Sequence, residues 1–146
     1  MLKRNDPLSI PRLSGKKIIT IDDERPIRSL IRHTLRQDDH EVFEAGDGRE
    51  GLKVIRRERP DLIVMDFVMP EMNGAETLRA IRSDPQIAHI PILFLTGVKD
   101  AEKLAPLLKD ERSDFLDKPF LVETLKARVR KMLLLHSAPL ERSQVN

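Results

Sequence analysis

From Lys16 onward, short runs of β-branched and aliphatic residues alternate with longer stretches of helical period. Ile18–Ile21, Leu62–Met65 and Ile92–Leu95 are nearly unbroken apolar runs, which predicts strands buried on both faces of a parallel sheet. Glu41–Ala45 and Asp114–Leu116 are more polar, as edge strands would be. The intervening segments predict helices. In the first, Ile27, Leu30, Ile31 and Leu35 form one stripe, and Arg25, Arg28, Arg32 and Arg36 fall on the other side, reading as a solvated face. A second helix starts after Asp47-Gly48 and carries Leu52 and Ile55, with Asp47 as a turn or cap residue. A third carries Leu78 and Ile81 and stops before Pro85, and a fifth carries Leu121, Leu125, Val129 and Met132.

Strands alternating with helices in this way predict a doubly wound α/β sheet with helices on both faces. Such sheets bind ligands beyond the carboxyl ends of their strands, at the switch point of the strand order. The residues that follow each strand therefore carry the candidate chemistry. Asp22, Asp23 and Glu24 follow the first strand, Asp66 the third, Thr96 ends the fourth, and Lys118-Pro119 follows the fifth. Carboxylates crowded at one rim repel unless a divalent cation neutralises them, and Mg²⁺ prefers oxygen ligands and keeps room for phosphate oxygens. Lys118 offers a cation for a phosphate or a carboxylate, Thr96 offers a hydroxyl, and an Asp carboxylate can itself be a nucleophile, giving an acyl phosphate. The Asp22–Glu24 run also reads as acid at a helix N-terminus.

Composition narrows this picture. The 146 residues suit one domain, and 40% hydrophobic content is enough for a core. With five Phe and no Tyr or Trp, that core must be aliphatic. The absence of Cys excludes disulfides and thiolate metal sites. A net charge of +2, with no concentrated basic patch and no helix-turn-helix or aromatic-basic segment, argues against direct nucleic-acid binding. No apolar stretch approaches the roughly twenty residues a membrane helix needs, so a soluble, cytoplasmic protein without membrane insertion is expected. Residues 1–14 read as a flexible arm, 15–136 as the folded domain and 137–146 as a polar tail. The His residues at 33, 40, 89 and 136 show no ligand spacing.

Taken together, Asp22-Asp23-Glu24, the segment from Asp66 to Gly74 (DFVMPEMNG), Thr96, and Lys118-Pro119-Phe120 resemble the full signature of response-regulator receivers of two-component signalling, here of the single-domain type. The intervals are 43 residues from Asp23 to Asp66, 30 to Thr96 and 22 to Lys118. The resemblance covers residues 16 to about 135. It implies a flavodoxin-like (receiver) fold with strand order 2-1-3-4-5. It implies Asp66 as the phosphoacceptor and a Mg²⁺ ion on Asp22, Asp23, Asp66 and the backbone carbonyl of Val68. Thr96 and Phe115 would be the switch pair, Lys118 would contact the phosphoryl group, and Lys118-Pro119 would be a cis peptide. The implied partners are a sensor histidine kinase or phosphotransfer protein and a downstream protein target, and no enzyme activity beyond the domain's own phosphoryl chemistry is expected. The arginine face of the first helix lies where family members dock kinases.

The chain departs from the family in places. Pro106 falls inside the expected fourth helix, 99–110, and should shorten, kink or restart it. Glu111-Arg112 replaces the usual small pair before the fifth strand, which leaves the output and dimerisation mode open. Val68 and Val98 offer no group to orient an attacking water, so a long-lived phosphoaspartate is expected. The competing readings are a phosphorylation-independent adaptor of the same fold, a receiver fragment of a longer regulator, and a phosphatase-like enzyme. The intact Asp66, Thr96 and Lys118 weigh against the adaptor, and Val68, standing where a second acid would be needed, weighs against the phosphatase.

Overall fold

The structure, a computed structural model, describes residues 14–97 and 101–136. The expected arm (all but Ser14), the expected tail and Val98 lie outside the described residues. The elements run β1 (Lys17–Ile21), α1 (Arg25–Arg36), β2 (Glu41–Ala45), α2 (Gly48–Glu58), β3 (Leu62–Asp66), α3 (Gly74–Ser83), β4 (Ile92–Thr96), α4 (Ala101–Leu104), a 3₁₀ helix (Ala105–Lys109), β5 (Ser113–Asp117) and α5 (Val122–His136). All strand pairs are parallel, and the order is β2-β1-β3-β4-β5. The chain reverses direction across the sheet between β1 and β3, which is the switch point of a flavodoxin-like fold.

The two-residue period of the strands sorts the core into two layers. Ile19, Ile21, Ile63, Met65 and Phe94 face α2, α3 and the 3₁₀ helix, meeting Leu52, Ile55, Leu78, Ile81 and Leu107. Ile18, Val64, Leu93 and Leu95 face α1 and α5, meeting Ile31, Leu35, Leu125, Val129 and Met132. All five residues of β3 and all five of β4 are buried, as their apolar runs predict, whereas β2 and β5 are partly open at the edges.

Local chemistry explains most boundaries. Asp47 caps α2 by accepting the Glu50 N–H at 2.7 Å. Asn73 and Glu76 form a reciprocal capping box at the start of α3. The expected helix over 99–110 is broken, because α4 ends at Leu104 and the chain restarts as a 3₁₀ helix with Pro106 in its first turn. A proline costs little there, since first-turn N–H groups have no intrahelical acceptor.

Three expectations need correction. Leu30 is 42% exposed, so the buried stripe of α1 is narrower than its spacing suggests and centres on Ile31 and Leu35. Leu121 precedes α5 and is 73% exposed, so the buried face of that helix begins at Leu125. The arginine face of α1 is not simply solvated. Arg28 and Arg32 both pair with Glu44 of β2, at 3.1 and 2.7 Å, and clamp the helix to the sheet edge.

Candidate functional site

The residues singled out in the sequence converge where the strands end. Asp22 and Asp23 follow β1, Asp66 ends β3, Thr96 ends β4 and Lys118 follows β5. Asp22, Asp23 and Asp66 each place a carboxylate oxygen within 4.8 Å of the others, and they form the one such group among the described residues. Asp22 and Asp66 are buried, and Asp23 is open to solvent. Lys118 closes the opposite side, its ammonium donating to Asp66 Oδ1 at 2.8 Å. The Lys118-Pro119 peptide is cis, as the resemblance implies.

The electrostatics follow from this crowding. Burial pushes the Asp22 carboxyl up to about 6, and the nearby Asp66 and Asp23 charges add to the rise. A hydrogen bond from the Glu24 N–H and the charge of Lys118 oppose it. Burial also raises Asp66, while Lys118 and the Val68 N–H, which donates to its carboxylate, pull it back. Lys118 stands above the ordinary lysine range, because its bond to Asp66 and the attraction of Asp22 and Glu24 outweigh the cost of its own burial.

One observation bears directly on a metal. Asp22 Oδ1 accepts the Glu24 N–H at 2.8 Å, but its buried Oδ2 has no hydrogen-bond partner. A buried carboxylate oxygen without a donor is costly, and an oxygen-seeking cation between three carboxylates supplies the missing partner. The donor set is all oxygen, which suits Mg²⁺ and not a thiolate or imidazole metal. The Asp22–Glu24 run does bring acid to the N-terminus of α1 but supplies no side-chain cap. Glu24 is the N-cap of α1 but makes no capping bond, and the Asp22 carboxylate serves the turn and faces the cluster instead.

The loop after β3 is held from both sides. The Phe67 N–H donates to Leu95 O at 2.9 Å, and the Phe67 ring meets Phe94 edge-on. Gly74 donates to Phe67 O at 2.8 Å, and a Cβ there would lie 3.0 Å from the Phe67 backbone, so a larger residue would press the loop outward. Val68 leaves its side chain exposed at the rim.

Thr96 is almost fully buried, and among the described residues its hydroxyl donates to Asp117 Oδ1 at 3.4 Å. Phe115 is half-buried, and its ring stacks on Phe94 at a centroid distance of 5.6 Å. Two participants are not apparent from sequence. Arg28 donates to Asp22 O at 2.6 Å and so fixes the turn that carries the acidic pair. Asp117 stands opposite Thr96 only through the β4–β5 register, which no local sequence signal encodes. The four histidines make no metal-type cluster among the described residues. His40 is buried and accepts the Lys16 N–H, while His136 meets Arg112.

Comparison with known proteins agrees with this geometry. Residues 18–130 match the family model of the response regulator receiver domain. The chain is 37% identical over 117 residues to the response regulator MprA of Mycobacterium leprae, covering 80% of this chain and 50% of that protein. It is 39% identical over 120 residues to the alkaline phosphatase synthesis transcriptional regulatory protein PhoP of Bacillus subtilis, covering 82% and 49%. The chain thus spans about half the length of the curated relatives it matches. The fold superposes on the chemotaxis response regulator CheY4 of Vibrio cholerae with a TM-score of 0.73 and 33% identity, covering 82% of this chain and 99% of that one. A cleft of three carboxylates faced by one lysine, at the switch point of a 2-1-3-4-5 sheet, agrees with the family match, and the chain belongs to the response regulator receiver domain family.

Proposed function

We propose that this domain accepts a phosphoryl group on Asp66 in a Mg²⁺-dependent reaction and signals to a partner protein by a conformational switch. The observation that carries the reading is the Asp66–Lys118 contact inside a three-carboxylate cleft. The donor would be a phosphohistidine on a sensor kinase or phosphotransfer protein. An Asp66 carboxylate oxygen attacks phosphorus, the O–P bond forms as the P–N bond breaks, and the imidazole leaves and takes up a proton. Asp22, Asp23, Asp66 and the Val68 carbonyl would hold the metal, which supplies charge neutralisation between the carboxylates and the incoming phosphoryl oxygens.

The protein's own groups do the positioning. Burial strips water from Asp66, and Lys118 offsets the charge gathering on the phosphoryl group. Arg28 and the Glu24 N–H keep Asp22 in place. Thr96 would donate its hydroxyl to a phosphoryl oxygen once it leaves Asp117. The Val68 side chain, apolar and exposed at the rim, gives an attacking water nothing to orient it, which favours slow hydrolysis of the acyl phosphate. Among the described residues no helix is long and apolar enough to cross a membrane.

The test is intact-mass analysis after incubation with acetyl phosphate and Mg²⁺. One phosphoryl adduct is expected, lost in Asp66→Asn and with EDTA. No adduct alongside measurable Mg²⁺ binding would overturn the phosphoacceptor reading in favour of a constitutive adaptor.

A further inference from the structure

We propose that Asp117 is a positioning residue that holds the Thr96 hydroxyl away from the phosphoacceptor and so sets how readily the site switches. The proposal rests on the reading of Asp66 as phosphoacceptor and concerns the regulation of that site.

The placement is fixed by the sheet. Thr96 and Asp117 are the last register pair of the β4–β5 ladder, and the Lys118 N–H donates to Thr96 O at 2.7 Å just beyond it. Both backbones are therefore held, and the freedom left at this point is in the side chains. Thr96 is 1% exposed, whereas Asp117 sits at the solvent edge. The 3.4 Å hydroxyl–carboxylate contact joins a buried donor to an acceptor that can swing away. At that length the bond is weak, as a resting contact that must yield should be.

Hydroxyl chemistry makes the two states exclusive. Thr96 has one proton to donate, and an ionised carboxylate only accepts. While Asp117 takes that proton, a phosphoryl oxygen on Asp66 cannot. The chain also divides opposite charges between neighbouring residues. Lys118 reaches Asp66, while Asp117 engages Thr96. One strand end thus carries the group that stabilises the phosphorylated state and the group that restrains it. The restraint reaches further along the same face, since Phe94 and Phe115 are the register pair two residues back and their rings are stacked. A contact made only in the resting state lowers the switched population by the factor that the contact is worth.

The experiment compares acetyl phosphate uptake with Mg²⁺, followed by intact mass, in the wild type, Asp117→Asn, Asp117→Val, Thr96→Val and the double variant Thr96→Val/Asp117→Val. Thermal melts confirm that each is folded. Asp117→Val is expected to take up phosphoryl about three- to tenfold faster, the size of one net hydrogen bond. Asp117→Asn keeps an acceptor without the charge and should gain less than half of that in logarithmic terms. In the Thr96→Val background, Asp117→Val should change the rate by less than twofold. Equal acceleration in both backgrounds would mean that Asp117 acts by charge alone, and the positioning role would be lost. A second readout needs no phosphoryl chemistry. Three-bond couplings of Thr96 in the unphosphorylated protein should show a changed χ1 population in Asp117→Val, and unchanged couplings would overturn the proposal even if the wild type forms no adduct. A wild type without an adduct overturns the phosphoacceptor reading, a separate failure.

Discussion

Lys118 and Asp66 lie 52 positions apart in the chain, yet the Lys118 ammonium donates to Asp66 Oδ1 at 2.8 Å, with the carboxylate almost fully buried. Parallel strands β3, β4 and β5 end together, so two residues that read separately as a strand end and a solvated lysine become one ionic pair. The pair is the main offset to the burial that raises Asp66. In Lys118→Ala, phosphoryl uptake from acetyl phosphate should fall by about 10²–10³, as when a charge-stabilising donor is removed from an active site. The pH profile should also move. Lys118 lowers the Asp66 pKa, so without it the carboxylate takes up its proton at a higher pH and the acid limb of the rate profile shifts upward. An unchanged limb would mean that Lys118 does not act on Asp66 in the reaction.

Asp22 yields a stability prediction of the opposite kind. Its folded pKa, about 6, lies above the unfolded value of 3.8, so the fold favours the protonated carboxyl. That contribution is complete below pH 3.8 and is lost as pH climbs through about 6. At pH 7 the metal-free protein therefore carries the full penalty. Asp22→Asn removes the charge and keeps an oxygen for the Glu24 N–H, and should stabilise the metal-free protein by about 2 kcal/mol at pH 7. Below pH 4 the gain should vanish. Millimolar MgCl₂ should raise the melting temperature of the wild type and not that of the variant. A variant less stable than wild type at pH 7 without metal would show that the charge is already compensated.

These two sites were legible in the sequence to different degrees. Asp66 and Thr96 each sit at the end of an apolar run and Lys118 follows the more polar fifth strand, and strand ends are where the fold class places chemistry. The division of the core was legible too, because fully apolar runs imply strands covered on both sides. What local pattern could not supply was partnership across the sheet. Asp117 matters through register with Thr96, and Arg28 through its reach back to Asp22 O. Leu30 and Leu121 follow helical spacing but lie beyond the edge of the layer they were assigned to, since periodicity names a face without saying how far the neighbouring element extends. Pro106 was read correctly as a break, because its missing N–H acts locally.

Arg82 should prove the main polar anchor of the opposite end of the molecule. Its guanidinium pairs with Asp110 through two bonds of 3.0 and 2.9 Å, and donates to Ala88 O and Ile90 O at 3.0 and 2.6 Å. It thereby ties the end of α3 to the segment before β4 and to the end of the 3₁₀ helix. Asp110 also accepts the Ser113 hydroxyl. Arg82→Ala strands a partly buried carboxylate and two carbonyls and should cost about 3 kcal/mol in urea unfolding. Arg82→Lys should recover less than half, because an ammonium cannot reproduce the planar fork. Full recovery by lysine would reduce the site to simple charge pairing. Faster amide exchange over residues 105–109 in Arg82→Ala would report the loosened 3₁₀ helix.

His40 makes stability depend on pH. Burial lowers its pKa below 6.5, helped by Lys16 and opposed by Asp38, Asp39 and Asp61, and its Nδ1 accepts the Lys16 N–H at 3.3 Å. The fold prefers the neutral ring. The stability this gives is complete above pH 6.5 and is lost as pH falls from there through the lowered folded value. Asn at this position can accept the same N–H through its amide oxygen and does not titrate. His40→Asn should therefore gain in melting temperature relative to wild type as pH goes from 7 to 5, on top of the opposing rise that Asp22 protonation gives both proteins. His89 and His136, lowered mainly by burial and then by Arg112 and Arg82, should leave a residual slope. An identical pH dependence in variant and wild type would show that the His40 ring contributes nothing to it.

Among the described residues two buried side-chain polar atoms have no hydrogen-bond partner, Thr20 Oγ1 in β1 and Asp22 Oδ2 just after it, and their positions separate their meaning. Asp22 Oδ2 belongs to the residue that meets Asp23 and Asp66, and a cation there would satisfy it. Thr20 lies one turn of the pleat back, fully buried between Glu44 and Val64 in the register and outside the three-carboxylate cluster. Its hydroxyl loses water and gains nothing. Valine has nearly the same shape without the polar atom, so Thr20→Val should stabilise the domain by about 1 kcal/mol, read as a higher urea midpoint at unchanged slope. The gain should be the same with and without MgCl₂, whereas that of Asp22→Asn should appear only without it. A lower midpoint for Thr20→Val would show that the hydroxyl is bonded in solution, to a buried water or to the Glu44 side, and that the one orphaned atom left is at Asp22, just beyond β1, where a cation can answer it.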